Sequence, residues 1–236
     1  AIIPWNFPFL MACWKLAPAL AAGCTVVLKP AEQTSLSALY LCELIGEANF
    51  PDGVVNIITG EGQSTGSALI THPDINKISF TGSTEVGQII GRAAMDNMAR
   101  VTLELGGKSP MIVLADCDPE KAAQGAAAAI FFNHGQTCSA GSRLYVHRSI
   151  SDKVLDRLAE LAEAIPLGPG LDPAAQMGPL VSRVQLDRVC RYIETGRQEG
   201  ARLVTGGERA DRKGYYVKPT IFATEADSMV IAKDEI

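Results

Sequence analysis

Three histidines, His72, His134 and His147, are all that the 236-residue chain contains, and none stands at ligand spacing from a cysteine, which argues against a zinc site. The six cysteines include no Cys-x-x-Cys pair, so reduced thiols in a cytosolic-type protein are expected rather than a disulfide or metal framework. Basic residues are also short: 21 Lys and Arg against 26 Asp and Glu, with no basic stripe, so no nucleic-acid partner is expected. Charge of either sign is sparse in the first half, where residues 1–118 hold 6 Lys/Arg and 11 Asp/Glu, against 15 of each in residues 119–236. So few charges suggest that something else covers much of that surface. No apolar run continues far enough to suggest a bilayer. The longest, Phe7 to Leu28, is broken by Lys15, Pro18 and Gly23 and ends in the strand-like Thr25-Val26-Val27-Leu28, which predicts a buried helix feeding a buried parallel strand.

What is present describes a globular protein, with 47% hydrophobic and 20% charged residues, long enough for one large or two modest domains. Short β-branched runs at Thr25–Leu28, Val54–Ile58, Lys77–Phe80 and Val101–Leu105 alternate with helical patterns at Leu36–Ala48 and Glu85–Asn97. That alternation predicts an α/β fold with a parallel, doubly wound sheet. Beyond Gly106-Gly107 the pattern continues with strands at Met111–Ala115 and Arg143–His147 and an Ala-rich helix from Asp118 to about Asn133. Amphipathic helices follow at Ile150–Ile165 and Ser182–Gln198, the first reached by strand 143–147 and the second by an irregular connector over 166–179; strands are expected at Arg202–Val204 and Tyr215–Phe222. The domain boundary is placed near Gly106, giving domains over 1–106 and 107–236.

Cys138 ends the segment Asn133-His134-Gly135-Gln136-Thr137-Cys138, where small polar neighbours suit an exposed turn better than a core; a packed thiol is the plainer alternative. Glu104 precedes Leu105-Gly106-Gly107-Lys108. Its apolar neighbours suggest a partly buried carboxyl suited to general-base work, although a surface carboxylate at a strand end would read the same. Asn6 lies in Pro4-Trp5-Asn6-Phe7-Pro8, either terminating a strand or presenting a rigid amide donor. Gly82-Ser83-Thr84-Glu85-Val86-Gly87 joins a strand to a helix, where backbone N–H groups favour anions, and Gly60-x-Gly62-x-x-x-Gly66 follows another strand. Lys29 and Glu32 follow a third strand, at the end where such sheets bind ligands.

Taken together and in this order, the Pro4–Pro8, Lys29-Pro30-Ala31-Glu32, Phe80–Gly87, Glu104–Lys108 and Phe131–Cys138 segments resemble the NAD(P)-dependent aldehyde dehydrogenase superfamily over the whole of residues 1–236. The resemblance implies a Rossmann-like cofactor domain over 1–106 and an α/β catalytic domain over 107–236, both incomplete. It makes Cys138 the nucleophile, Glu104 the base that activates the hydrolytic water, and the Asn6 amide with the Cys138 N–H the oxyanion hole. It gives Trp5, Lys29, Glu32, Gly62, Gly66, Gly82, Ser83, Gly87, Gly106 and Glu235 to the cofactor. Lys29 and Glu32 would hold the adenosine ribose, and because Glu32 would repel a 2′-phosphate, NAD is expected over NADP. No metal is implied.

The implied reaction is oxidation of an aldehyde to an acid. A coenzyme A-acylating semialdehyde dehydrogenase is the rival enzyme, disfavoured by Glu104; a non-catalytic binding module is the rival outside enzymes. The run Trp5–Lys15 is similar to that of phenylacetaldehyde-type members, with Phe9, Trp14, Phe131 and Phe132 as candidate tunnel residues, and betaine or aliphatic aldehydes stay open as substrates. Both ends look cut: Ala1 lies within an apolar run, and Lys233–Ile236 within what resembles the family's Glu-Glu-Ile-Phe-Gly-Pro segment. The chain is therefore expected to be the central piece of a longer polypeptide and inactive alone.

Overall fold

A computed structural model describes residues 1–236, which divide into two compact units, Ala1–Gly106 and Gly107–Ile236. In the first unit, α1 (Pro8–Ala21) leads to β1 (Val26–Leu28), α2 (Leu36–Glu47) to β2 (Val55–Ile57), the short α3 (Ser67–Ile70) to β3 (Lys77–Thr81), and α4 (Thr84–Asp96) to β4 (Arg100–Glu104). β1 pairs with β2 and β3 with β4, both parallel. Ala1–Ile3 joins the two pairs: Ile2 bridges in parallel to both Lys29 and Phe80. The spatial order is therefore β2, β1, the Ile2 segment, β3, β4, all running the same way.

Strand periodicity sends Ile2 and Ile3 to opposite faces of this sheet. Ile3 packs with Ala12, Leu16, Leu28 and Ala38, so α1 and α2 cover its side. Ile2 packs against Ile70, Ile78, Phe80, Ile90 and Ala94, so α3 and α4 cover the other. A sheet covered on both faces needs apolar residues throughout its central strands, which explains the short Val- and Ile-rich runs. α4 starts where Ser83 Oγ accepts a hydrogen bond from the Val86 N–H, satisfying one of the donors left over at a helix N-terminus.

α1 corrects one expectation. It is not a buried helix: Ala12 and Leu16, one turn apart, face the sheet, whereas Phe9 and Leu10 are exposed and Trp14 is 65% exposed. Its high apolar content therefore exceeds what the core of the first unit uses. No helix in the structure is long and apolar enough to cross a membrane.

In the second unit, β5 (Pro110–Val113) and β6 (Arg143–Val146) pair in parallel across α5 (Pro119–Phe131), and α6 (Ser151–Glu163) follows. Ala123 and Ala126 of α5 meet Val154 and Leu158 of α6 in the core. Asp118 caps α5 through the Glu120 N–H, with Pro119 in the first turn, where its missing N–H costs no hydrogen bond. α7 (Arg183–Gln198), β7 (Arg202–Thr205), β8 (Ile221–Ala223) and the short α8 (Val230–Lys233) complete the unit, with β7 and β8 antiparallel.

Of the boundaries that differ from expectation, two have a clear local cause. The strand predicted over Tyr215–Phe222 is confined to Ile221–Ala223, because Pro219 has no N–H to give a ladder; Val217 makes only an isolated bridge to Arg209. α5 stops at Phe131, two residues before the predicted end, because Phe132 is extended (ψ 133°) and Asn133 turns left-handed.

The sheet's dependence on its middle segment is open to measurement. In the full-length protein that contains this chain, Ile3→Ala should lower stability by about 2–5 kcal/mol and Ile3→Val by only about 0.5–1.5 kcal/mol, read from urea-unfolding midpoints. Equal midpoints for Ile3→Ala and wild type would contradict a central role for this segment.

Candidate active site

Because every strand of the first unit runs the same way, all their C-terminal ends lie along one edge, where open α/β sheets bind ligands. Each residue expected to have a functional role in this unit follows one of those ends. Trp5 and Asn6, both half-buried, follow the Ile2–Ile3 segment. Lys29 and Glu32 follow β1; Gly62 and Gly66 follow β2; Gly82, Ser83 and Gly87 follow β3; Glu104 ends β4 and Gly106 lies just beyond.

Four of these residues meet. Lys29 is 3% exposed, and its Nζ donates to Glu32 Oε1 at 3.1 Å and to the Pro30 carbonyl at 3.2 Å. A Cβ built on Gly62 would lie 3.9 Å from Glu32 Oε1, and one on Gly66 3.8 Å from Lys29 Cδ. Burial opposes charge on Glu32, but hydrogen bonds from its own N–H, from Lys29 and from the Gly62 N–H outweigh that and hold its carboxyl below the usual value. Glu32 nevertheless remains 40% exposed. A fixed ammonium and an accessible carboxylate beside glycine backbone form a cradle suited to a vicinal diol. The loop is a single π-turn over Gly62–Gly66, which depends on Gly60: at φ +142° a side chain is disfavoured, and its Cβ would overlap Thr65 Oγ1.

At β3 and β4, the Gly82 N–H donates to the Glu104 carbonyl at 3.0 Å. A Cβ on Gly87 would come within 2.5 Å of Leu105 Cδ2, so glycine lets α4 pack closely on the chain leaving β4. Glu104 itself is exposed, which corrects the expectation of a partly buried carboxyl. Its flanking residues Leu103 and Leu105 do join the core, and strand alternation places Glu104 on the opposite side. Lys15, which the sequence shows only as a break in an apolar run, is a neighbour of Glu104. Its Nζ donates to Ser79 Oγ at 3.0 Å, and its pKa is lowered by burial, with the Glu104 carboxylate acting the other way.

In the second unit, Cys138 is an exposed thiol, and all six cysteines are free. The turn before it contains three successive left-handed residues: Asn133 (φ 49°), His134 (φ 63°) and Gly135 (φ 75°). Non-glycine residues in that region each cost about 1–3 kcal/mol and persist where surrounding bonds enforce them. Asn133 Nδ2 donates to the Gln136 carbonyl at 3.2 Å, the Gln136 N–H to the Asn133 carbonyl at 3.0 Å, and the Thr137 N–H to the Gly135 carbonyl at 2.8 Å. Two acceptors reach a distant loop: His134 Nε2 takes the Gly178 N–H at 2.6 Å, and Gln136 Oε1 takes the Val181 N–H at 3.1 Å. Gly107 also approaches closely, since a Cβ there would lie 2.9 Å from the Cys138 carbonyl oxygen.

Glu235 holds no position comparable to that of Glu32. It is exposed, its carbonyl accepts from Arg188 at 2.7 Å, and it borders an open cavity of about 810 Å³ with Lys108, Gln136, Arg143 and Tyr192. Burial and Arg143 push the Lys108 ammonium down to about 8, while Asp234 and Glu235 act against that. Asn6 and Glu104 thus belong to the first unit, and Cys138 and Glu235 to the second. His134, Gln136, Lys15 and Gly107 make contacts that residue identity does not reveal; the one available signal is the Asn-His-Gly run at a helix end, a composition that favours left-handed backbone.

A match to the aldehyde dehydrogenase family extends over residues 1–236. The chain belongs to the aldehyde dehydrogenase family. It is 60% identical over 224 residues to phenylacetaldehyde dehydrogenase of Pseudomonas fluorescens, covering 94% of this chain and 45% of that one. It is 52% identical to retinaldehyde dehydrogenase 3 of Homo sapiens, covering 100% of this chain and 46% of that one. Among solved structures, the NAD+ complex of aldehyde dehydrogenase from Bacillus cereus superposes with a TM-score of 0.98 at 54% identity, over 99% of this chain and 48% of that one. The chain therefore has the family's α/β fold and spans about half the length of the aldehyde dehydrogenases it matches.

The Glu32 cradle predicts a pH dependence. Its folded pKa lies below the ordinary 4.5, so the unfolded chain takes up the proton first as pH falls. The stability it contributes is complete above about 4.5 and is lost as pH falls through the folded value. The difference in unfolding midpoint between wild type and Glu32→Gln should therefore shrink from pH 6 toward pH 3.5. A difference that grows on acidification would contradict the assigned direction.

Proposed function

We propose that this chain carries the cofactor edge and the nucleophile of an NAD-dependent aldehyde dehydrogenase that oxidises an aldehyde to its acid. The observation carrying this reading is an exposed Cys138 thiol at the end of a backbone held in a costly conformation, within a chain of this family. Strain that surrounding bonds maintain is a pointer to function.

Lys29 and Glu32 hold the ribose hydroxyls, and the Ser83-capped N-terminus of α4 with Gly82 faces the pyrophosphate. Gly62, Gly66, Gly87 and Gly106 keep the edge open to close approach, Trp5 adds an apolar wall, and Glu235 takes the second ribose. The carboxylate of Glu32 disfavours a 2′-phosphate, so NAD is preferred to NADP. When bound, NAD supplies the hydride acceptor. The residues of the chain do the rest. The Cys138 thiolate adds to the aldehyde carbon, and Asn6 donates a hydrogen bond to the developing alkoxide. Loss of hydride from that carbon leaves a thioester on Cys138. Glu104, free in solvent, takes a proton from water as it attacks the thioester; the carbon–sulfur bond breaks, and the acid and the free thiol are released. Coenzyme A acylation would not need Glu104, which favours hydrolysis.

An arylacetaldehyde is the substrate best supported. The phenylacetaldehyde dehydrogenase of Pseudomonas fluorescens is 60% identical, and Phe9 and Trp14 of the first unit and Phe132 of the second expose rings that the cores leave unused. Other exposed apolar residues, such as Leu36 and Leu171, fit a homo-oligomer of the full-length protein. Rates with phenylacetaldehyde, betaine aldehyde and hexanal should rank in that order in kcat/KM, and a preference for betaine aldehyde would overturn the aromatic assignment.

Two substitutions in the full-length protein test the mechanism. Cys138→Ala should abolish NADH formation and leave NAD affinity within a few-fold; sustained turnover would remove Cys138 from the mechanism. Glu104→Gln should keep the first-turnover burst of NADH and slow later turnovers by about 10²–10⁴-fold. Loss of the burst as well would give Glu104 a part in activating the thiol.

A further inference from the structure

We propose that His134 and Gln136 are positioning residues for Cys138, acting as hydrogen-bond acceptors that fasten its left-handed turn to the backbone N–H groups of Gly178 and Val181. The proposal rests on Cys138 being the nucleophile.

The turn's internal hydrogen bonds, between Asn133 and Gln136 and between Gly135 and Thr137, fix its shape but move with it. Its placement requires bonds to something outside. His134 and Gln136 supply them across 44 and 45 residues of sequence. The segment they reach is itself fixed in the second unit. Met177 and Leu180 are buried, the Gly168 N–H donates to the Met177 carbonyl at 2.9 Å, and the Leu180 N–H to the Tyr215 carbonyl at 2.9 Å. Along this segment, buried side chains at 177 and 180 alternate with N–H groups at 178 and 181 that point to the turn. Gly178 permits the approach, since a Cβ there would lie 3.2 Å from His134 Nε2.

The chemistry of the ring is consistent with this role. An imidazole that accepts at Nε2 must be neutral, with its proton on Nδ1, which faces the Gln136 side-chain amide at 3.1 Å; the ring also has a backbone hydrogen bond with Asn133. Burial of the ring also favours the neutral form. With both nitrogens engaged, His134 is not placed to take the thiol proton. A histidine merely filling space would have no need of an acceptor at Nε2, and that difference makes the idea testable. Glutamine can place Oε1 the same number of bonds from Cβ as Nε2, keeping the acceptor without the ring.

The experiment uses the full-length protein and four variants: His134→Ala, His134→Gln, Gln136→Ala and Gln136→Glu. Amide hydrogen exchange at Gly178 and Val181 reads the fastening, the first-turnover NADH burst reads the chemistry, and NAD titration reads the cofactor site. His134→Ala should speed exchange at Gly178 and slow the burst by about 10–100-fold, the scale of an ångström of misplacement, with little change in NAD affinity. His134→Gln should restore both to within about threefold of wild type. Gln136→Ala and Gln136→Glu should behave in the same way at Val181, and this pair carries the test if His134→Ala does not fold. Faster exchange with an unchanged burst would overturn the proposal. Gln and Glu variants as impaired as the Ala variants would overturn it too, because retained acceptors would then not matter. Cys138→Ala run alongside separates the premise: a burst that survives there removes the nucleophile reading, whereas one that is abolished there but normal in His134→Ala removes only the positioning role.

Discussion

The Ala1–Ile3 segment is hydrogen-bonded along both of its edges, and the layout of the first unit depends on that. Ile2 exchanges bonds with Ser79 and Thr81 on one side, while the Ala1 carbonyl and Ile3 N–H pair with Lys29 on the other. Without this seam, β1–β2 and β3–β4 are separate two-stranded pairs. With it, they form one parallel sheet, and parallel direction brings every strand's C-terminal end to one edge. Residues from five places in the sequence, Asn6, Glu32, Gly62, Ser83 and Glu104, then share that edge with no further device. Each loop adds only local detail, such as the Ser83 cap or the Lys29–Glu32 bond.

The second unit uses a different means. The turn before Cys138 is not simply a strand end; it is a helix terminus bent into left-handed backbone and tied down by side chains. A strand end is positioned by sheet geometry and tolerates varied loops. A strained turn is positioned by the hydrogen bonds its side chains make to groups outside it, so those side chains are less free to vary in kind. The division is physically sensible. On the function proposed above, holding a large cofactor calls for a broad rigid edge, whereas presenting one sulfur atom calls for accuracy at a single point.

Much of this was legible in the sequence, for identifiable reasons. Val26–Leu28 and Lys77–Phe80 are short runs rich in β-branched or aromatic residues, with Leu28, Ile78 and Phe80 buried, and such runs identify parallel strands well. The Ser83 and Asp118 caps were visible as polar residues ahead of helical patterns. The exposure of Glu104 runs against its sequence neighbours, because Leu103 and Leu105 suggest apolar surroundings although in a strand they define the opposite face. The strand ending at Phe222 was overextended through Pro219 because its apolar residues hid the missing donor. His134 and Gln136 were not recognised, since their partners lie more than forty residues away and are backbone N–H groups, which leave no trace in side-chain identity.

If Cys138 is the nucleophile proposed above, it receives the acyl group during aldehyde oxidation. The most direct measurement is peptide mass analysis of the full-length protein, acid-quenched after a single turnover with NAD and phenylacetaldehyde. The expected result is an acyl adduct confined to the peptide carrying Cys138, formed only when NAD is present and in step with NADH. NADH formation with the acyl group on another residue, or with no adduct on Cys138 at any quench time, would contradict it.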